Sequence, residues 1–192
     1  MPNLPIISKV LRTPDARFSD LPDFPYSPKY LEVGGLPTGT GQIPRAFKIW
    51  RAFARYSPLF PIGRIVKAGC AQGLGAREVA AYDAPFPSPA YKIATRVFPT
   101  FVPSTAGDPE RRNNEAAWAF FRGWDKTFLT PFSSRDPITR GGERIWQESV
   151  PGAKGQPHAI TRGAGHFLQE DKGAEVAHEI AEFIRSNGPH HA

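Results

Sequence analysis

Two titratable residues, Asp136 and His166, follow short β-prone runs in the last third of the sequence. Asp136 comes shortly after residues 126–132, and His166 comes shortly after residues 157–161. If these runs are neighbouring parallel strands, their carboxyl ends lie at one edge of the sheet, where functional residues gather. A carboxylate bonded to one imidazole nitrogen fixes the tautomer and leaves the other nitrogen free to take a proton from water. The spacing therefore predicts a supporting acid, Asp136, and a general base, His166.

The same two residues also allow a purely structural interpretation. Asp136 precedes Pro137, and Asp-Pro is a common turn pair. His166 could then be an ordinary loop residue, because ionisable pairs also occur in structural networks. Position alone leaves both interpretations open.

Apolar periodicity predicts the elements that would hold this pair. The strongest helical pattern covers 171–187, where Gly188 supplies the stop. Its apolar stripe consists of Val176, Ile180, Phe183 and Ile184. Further helices are predicted over 45–56, 75–82, 89–98, 109–123 and 143–149, and short strands over 30–33, 126–132 and 157–161. The strand–helix–strand–helix order of the last third predicts a parallel βαβα unit and therefore the α/β class.

Composition bounds the class of protein. The 192 residues include 21 prolines and 18 glycines, which predicts much loop, turn and short helix. The formal charge of +6 comes from scattered Lys and Arg without a basic run, which argues against a nucleic-acid partner. Cys70 is the single cysteine, so we expect no internal disulfide and a reducing, cytoplasmic location. No apolar run reaches 18 residues, so no membrane span is expected.

Several motifs resemble those of haloalkane dehalogenases, a branch of the α/β-hydrolases. Residues 165–171, GHFLQED, are similar to the histidine loop of that family, and residues 132–139 are similar to its acid loop. The segment 83–87, DAPFP, followed by Tyr91 and by residues 96–99, is similar to its cap. Weaker likenesses lie at 13–18 with 30–33, at 150–153 and at 155–158.

The resemblance implies a partial α/β-hydrolase fold, with a truncated, mostly parallel sheet and a helical cap. On this reading residues 1–33 form an N-terminal lead with the first strand, and residues 34–123 form the cap region. Residues 124–188 form a C-terminal segment of the hydrolase core, and residues 189–192 form a tail.

The resemblance also implies a chemistry. In that family an Asp carboxylate displaces halide from an sp³ carbon to give an alkyl-enzyme ester, and a histidine supported by an acid activates the water that hydrolyses the ester. By position, His166 matches the base and Asp136 the acid. Small haloalkanes, water and halide ion are the implied partners, and no cofactor or metal is implied. The oligomeric state stays open.

The cap residues would bind the substrate. Trp50 matches the cap tryptophan whose indole N–H binds the leaving halide, a donor aimed at developing negative charge. The alternative for Trp50 is an aromatic residue that packs the core of a cap helix. The apolar pocket for the haloalkyl chain would be formed by Phe47, Phe98, Pro99, Val102 and Phe167.

One part of the family pattern has no counterpart in the sequence. No Gly-x-Asp-x-Gly, Gly-x-Ser-x-Gly or Gly-x-Cys-x-Gly elbow occurs, and no His-Gly pair. Val33 is followed directly by Gly34, where the family has several strand–helix units. We therefore expect an internally deleted form that lacks the nucleophile and has little or no activity. Cys70, Asp83 and Asp125 are poor replacements, because a nucleophile must lie within about 3 Å of its base.

Two other functions remain open at this level. An epoxide hydrolase-like α/β-hydrolase uses a similar acid–base pair but prefers cap tyrosines, which Trp50 argues against. A non-catalytic binding fragment is the third possibility, because the sheet edges left by a deletion favour association.

Overall fold

The computed structural model describes residues 13–18, 45–105, 107–108 and 110–188. The predicted strand at 30–33 and the tail at 189–192 lie outside these ranges. The α-helices of the described part are α1 (Arg45–Tyr56), α2 (Ile62–Gly69), α3 (Ala76–Asp83), α4 (Ile93–Val97), α5 (Arg111–Arg122), α6 (Glu143–Ser149) and α7 (Leu168–Asn187). Its strands are β1 (Phe132–Ser133) and β2 (Ile160–Thr161). The 3-10 helices are Asp15–Phe18, Pro89–Lys92, Phe98–Phe101 and Pro151–Ala153.

Helices α2 and α3 pack against each other at very short range. A Cβ atom on Gly63 would lie 2.2 Å from the backbone oxygen of Val79. The Gly63 N–H also donates to the Asp83 carboxylate at 3.0 Å. Position 63 therefore has to be glycine for the two helices to come this close.

Aromatic contacts join α1 to the chain that follows it. The rings of Trp50, Phe53 and Phe60 have centroids 5.8 to 6.0 Å apart. The Arg96 guanidinium lies 4.6 Å from the Phe60 ring centroid and donates to the Ala54 carbonyl in the last turn of α1. The hydrogen bond ties α4 to α1, and the cation–π contact ties α4 to Phe60 in the chain that follows α1.

A second aromatic cluster forms the core between α5 and α6. Trp118, which is 2% exposed, stacks on Trp146 with a centroid distance of 4.7 Å. Phe128 stacks on Trp146 at 5.8 Å, and Phe121 meets it edge-on at 5.4 Å. Large aromatic rings bury much apolar area, so this cluster holds the two helices on the segment that leads into β1.

Strands β1 and β2 are parallel, which confirms the predicted pairing. The register pairs Phe132 with Ile160 and Ser133 with Thr161. The predicted strand lengths were wrong: of 126–132 only the last residue is in β1, and of 157–161 only the last two are in β2.

Backbone hydrogen bonds to other partners explain why the first strand is short. The Phe128 N–H donates to the Gly152 carbonyl at 3.0 Å, and the Thr130 N–H donates to His158 Nδ1 at 3.3 Å. A strand ladder would need those N–H groups for β2. Residues 127–131 therefore have no regular secondary structure.

The His158 ring connects Thr130 in this segment to the 3-10 helix Pro151–Ala153 before β2. Besides the Thr130 N–H, its Nδ1 contacts the Thr130 hydroxyl at 3.0 Å, and its Nε2 lies 2.7 Å from the Ala153 carbonyl oxygen. Gln147 on α6 donates to the same hydroxyl at 2.8 Å. These bonds satisfy the buried Thr130 side chain and fix α6 beside the sheet.

Residues 89–98 do not form the single helix that the periodicity predicted. The segment consists of the 3-10 helix Pro89–Lys92, then α4 (Ile93–Val97), then the 3-10 helix Phe98–Phe101. Pro99 has no N–H to donate back along an α-helix, so α4 ends before it.

Helix α7 starts at Leu168, three residues earlier than predicted, and runs to Asn187. Its backbone is non-helical at Lys172 (φ −145°, ψ 34°). Its apolar stripe is partly uncovered, with Ile180 40% and Ile184 61% exposed. Of the described helices, α7 included, none has the length and hydropathy needed to cross a bilayer.

Gly152 provides a test of the packing between the 3-10 helix Pro151–Ala153 and the chain before β1. It is buried, its N–H donates to the Trp124 carbonyl at 2.9 Å, and an added Cβ would lie 1.8 Å from the Lys126 carbonyl oxygen. Because that oxygen belongs to backbone, Gly152→Ala should lower the free energy of unfolding by about 1–3 kcal/mol or more. Urea unfolding followed by circular dichroism measures the change.

Gly173→Ala is the matched control, since a Cβ there meets no atom within 4 Å and the residue lies in α7. Alanine should leave the stability unchanged or raise it by up to about 1 kcal/mol. Equal stability of the Gly152→Ala protein and the parent would show that this packing is wrong.

Candidate active site

Asp136 lies just beyond β1 and is buried, with 2% of its surface exposed. Its Oδ1 accepts the backbone N–H of Ile138 at 2.7 Å, and its Oδ2 accepts the hydroxyl of Thr139. These bonds follow from the turn that the Asp136–Pro137 pair begins, because an Asp side chain binds backbone two residues on. The carboxylate is therefore held by its own loop.

His166 lies between β2 and α7. Its Nδ1 is 3.0 Å from Asp136 Oδ2, and its side chain is 35% exposed. The Phe167 ring meets the imidazole edge-on at a centroid distance of 5.0 Å. Because Nδ1 faces the carboxylate, Nε2 lies on the opposite side of the ring.

Hydrogen bonds between the two loops fix this pair. The Ser134 N–H donates to the Thr161 carbonyl at 3.1 Å, and the Arg135 N–H donates to the Ala164 carbonyl at 3.0 Å. The Gly163 N–H returns a bond to Ser134 Oγ at 3.0 Å. The parallel pairing of β1 and β2 thus continues as loop-to-loop bonds up to Asp136 and His166.

The pKa of the Asp136 carboxyl is lowered although two influences oppose each other. Burial is the largest and raises the pKa, but hydrogen bonds from Thr139, from His166 and from the Ile138 N–H together outweigh it. An ionised Asp136 only accepts, so it binds Nδ1–H and leaves the lone pair of a neutral imidazole on Nε2. That tautomer is the one a general base requires.

Cys70 is a poor nucleophile in its environment. It is buried, its thiol lies 3.3 Å from the Val66 carbonyl, and burial, followed by the charges of Asp171 and Glu170, raises its pKa. A raised thiol pKa disfavours the reactive thiolate.

In the described ranges, no group of three or more His, Cys, Asp or Glu is arranged to hold a metal ion.

The residues predicted to line the pocket fall into two groups. Phe167 lies beside His166 in the loop before α7. The others belong to α1 and to the chain around the 3-10 helix Phe98–Phe101, which pack against each other. In this second group Phe47 is half-buried on α1, Phe98 is 55% exposed, Pro99 is buried, and Val102 is half-buried.

Trp50 is half-buried on α1, where its ring packs near Phe53 and Phe60. These contacts are those of a packing aromatic, the alternative that the sequence allows. The halide-binding role of Trp50 stays a prediction, as do the pocket roles of the other cap residues.

Two groups in the Asp136 loop that hold its carboxylate were not predicted from the sequence. Thr139 and the Ile138 N–H both bind the Asp136 carboxylate. The signal was available, since an Asx turn places the N–H two residues on within reach of the aspartate.

Known proteins similar to this chain in sequence and in structure include several haloalkane dehalogenases. The chain is 45% identical over 152 residues to a haloalkane dehalogenase of Psychrobacter cryohalolentis, covering 79% of this chain and 50% of that one. It is 48% identical over 147 residues to a haloalkane dehalogenase of Mycobacterium marinum, covering 77% and 49%. A tetrameric haloalkane dehalogenase structure from Paraglaciecola agarilytica has a TM-score of 0.61 at 24% identity, covering 77% and 47%. No protein-family model matches the chain.

The resemblance to haloalkane dehalogenases is therefore confirmed over about three quarters of this chain. The structural likeness confirms the α/β-hydrolase fold class in partial form, here mostly helical with a two-strand parallel sheet. The chain spans about half the length of the curated relatives it matches.

Asp136→Asn tests the acid–base pair. The carboxylate uses both oxygens as acceptors, whereas an amide offers one oxygen and one NH₂ group. With the oxygen on the Ile138 N–H, the NH₂ faces His166 Nδ1 and should convert neutral His166 to the Nε2–H tautomer. Nitrogen-15 NMR should show this change together with loss of the hydrogen-bonded Nδ1–H proton signal.

The same variant has a pH-dependent effect on stability. The folded protein lowers the Asp136 pKa below the unfolded value of about 3.9, so the carboxylate stabilises the fold above that pH. Asp136→Asn should cost about 1.5–3 kcal/mol at neutral pH, and the difference should shrink as the pH falls through the lowered pKa. Urea unfolding at several pH values checks this, with the exposed Asp125→Asn as control. A constant difference down to acidic pH would contradict it.

Proposed function

We propose that this chain carries the cap and the acid–base half of a haloalkane dehalogenase-like hydrolase. The observation that supports this most directly is the 3.0 Å contact between His166 Nδ1 and the buried Asp136 carboxylate. It occurs in a chain 45–48% identical to proteins named haloalkane dehalogenase.

In the proposed reaction His166 acts on the alkyl-enzyme ester. Its Nε2 takes a proton from water as the water oxygen adds to the ester carbonyl carbon. The bond between that carbonyl carbon and the alkoxy oxygen then breaks, the alkoxy group leaves as the alcohol with the proton from His166, and the carboxylate nucleophile is regenerated. Asp136 stabilises the imidazolium that forms in between. The His166 side chain is 35% exposed, so water has access to the ring.

The substrate proposed for the site is a small haloalkane. Phe47, Phe98, Pro99, Val102 and Phe167 would supply apolar contacts to its alkyl chain. Trp50 would donate its indole N–H to the halide as the carbon–halogen bond breaks. Water is the second substrate, and halide and alcohol are the products.

The nucleophile is the missing part of this proposal. The sequence has no elbow motif, and burial disfavours the thiolate of Cys70. We therefore propose that the chain alone does not form the ester. An epoxide hydrolase-like activity is not favoured by the names of the relatives, and a purely non-catalytic role leaves the Asp136–His166 geometry without a use.

The first experiment measures halide release from 1,2-dibromoethane and 1-chlorobutane by the purified chain. Without a covalent nucleophile the rate should fall by a factor of about 10⁴ to 10⁶ below that of an intact relative. Rates near those of an intact relative would overturn the proposed lack of a nucleophile.

The second experiment supplies the missing part from outside. The half of the Psychrobacter cryohalolentis relative that this chain does not match is mixed with it, and halide release is measured. Activity should appear in the mixture and fall by about 10²–10⁴ in His166→Ala. His178→Ala, an exposed histidine on α7, is the control and should leave the rate unchanged. A complex of the two halves that releases no halide would count against the proposal.

A further inference from the structure

Asp171, on the first turns of α7, binds two distant segments of the chain. Its carboxylate accepts the backbone N–H groups of Ala71 at 2.8 Å and Gln72 at 2.8 Å, both in the connection between α2 and α3. It also accepts the N–H of Gly165 at 2.7 Å, in the loop that carries His166. This carboxylate with its three N–H donors is called the Asp171 clamp below.

Further hydrogen bonds join the same two segments next to the Asp171 clamp. The Gly69 carbonyl at the end of α2 accepts the N–H of His166 at 2.8 Å and that of Phe167 at 3.4 Å. The Gln72 side chain donates to the Asp171 carbonyl at 3.0 Å. The backbone of the histidine is therefore bonded to the helical segment, not only to its own strand.

The histidine loop and the end of α2 are in close contact at two glycines. A Cβ atom on Gly165 would lie 2.4 Å from the Gly69 carbonyl oxygen and 2.8 Å from the Ala71 nitrogen. A Cβ atom on Gly69 would lie 2.7 Å from the Phe167 ring. Position 165 has to be glycine because its neighbours are backbone atoms, whereas a side chain at position 69 would have to displace the Phe167 ring, so the separation between the histidine loop and α2 is tightly defined.

The charge of Asp171 suits its three donors. Burial is the largest influence on its pKa and raises it, but the N–H bonds from Gly165, Gln72 and Ala71 together lower it below the usual range. Asp171 is therefore an ionised acceptor, and it uses both oxygens. Charge-assisted bonds of this kind are stronger than neutral ones.

We infer that Asp171 is a positioning residue for His166, which it holds against the Asp136 carboxylate by clamping Gly165 to the connection between α2 and α3. The hydrogen bonds that carry this inference are independent of any activity. Its catalytic consequence rests on the proposed function, in which His166 is the base. A general base has to be held within a fraction of an ångström of its working position.

Asp171→Asn breaks the clamp with the smallest change in shape. The amide has one oxygen, so at least one of the N–H groups of Ala71, Gln72 and Gly165 must face an NH₂ group. Asp108→Asn is the matched control, because the Asp108 carboxylate also accepts backbone N–H groups, those of Ser104 and Thr105, in the loop before α5. Asp171→Glu keeps the charge but moves the carboxylate by one methylene.

The direct readout is NMR of the full chain. In Asp171→Asn the amides of Gly165 and His166 should exchange with solvent at least about tenfold faster, and the His166 Nδ1–H signal should weaken or vanish. Asp108→Asn should change neither, and Asp171→Glu should give intermediate protection. Wild-type exchange rates and an unchanged Nδ1–H signal in Asp171→Asn overturn the inference. If Asp171→Asn does not fold, the same result in Asp171→Glu overturns it.

The second readout separates this inference from the proposed function. In the mixture with the complementary half of the relative, Asp171→Asn should lower kcat for halide release by about 10- to 100-fold, with KM little changed. If the wild-type mixture releases no halide while the NMR changes occur, the proposed function fails and the positioning role stands. If the wild-type mixture is active and the variant shows neither change, the positioning role fails and the function stands.

Discussion

The hydrogen bonds between the loops that leave β1 and β2 hold Asp136 and His166 together. The strand ladder itself is only two residue pairs long, too short to fix two loops by itself. The bonds from Ser134, Arg135 and Gly163 extend the connection to Asp136 and His166. The aromatic cluster around Trp146 supports the chain on the β1 side, so the site depends on contacts outside the sheet.

The sequence was sufficient to predict that Asp136 and His166 lie together and that β1 and β2 are parallel. Both residues follow β-prone runs, and the order of elements allowed few other topologies. The strand lengths could not be predicted, because the N–H groups of Phe128 and Thr130 bond to Gly152 and to the ring of His158. Those partners lie 24 to 28 residues along the chain (152 − 128 and 158 − 130) and carry no local signal.

Asp171 escaped prediction for a similar reason. An acidic residue in the first turns of a helix is ordinarily explained by the helix dipole, and nothing nearby suggests a different use. Its donors at Ala71 and Gln72 are 100 and 99 residues away. The glycines that make room for the contact, Gly69 and Gly165, are 96 residues apart (165 − 69) and resemble ordinary turn glycines until the structure brings them together.

Two apolar side chains of the α/β segment are exposed, as expected for a chain that spans about half the length of its relatives. Ile160 on β2 is 45% exposed, and Ile184 on α7 is 61% exposed. Parallel sheets are usually covered on both faces, and their strands and flanking helices bury such residues. The partial cover here is consistent with the proposal that further sheet and the nucleophile are needed for catalysis.

The contacts of His158 have a consequence for how the site can be observed. Its Nε2 faces the Ala153 carbonyl, which only accepts, and its Nδ1 faces the Thr130 N–H, which only donates. Neutral His158 is therefore protonated on Nε2, while neutral His166 is protonated on Nδ1. The contacts of this short βα unit thus favour opposite neutral tautomers at its two imidazoles, and the nitrogen-15 signals of His158 provide a reference beside those of His166.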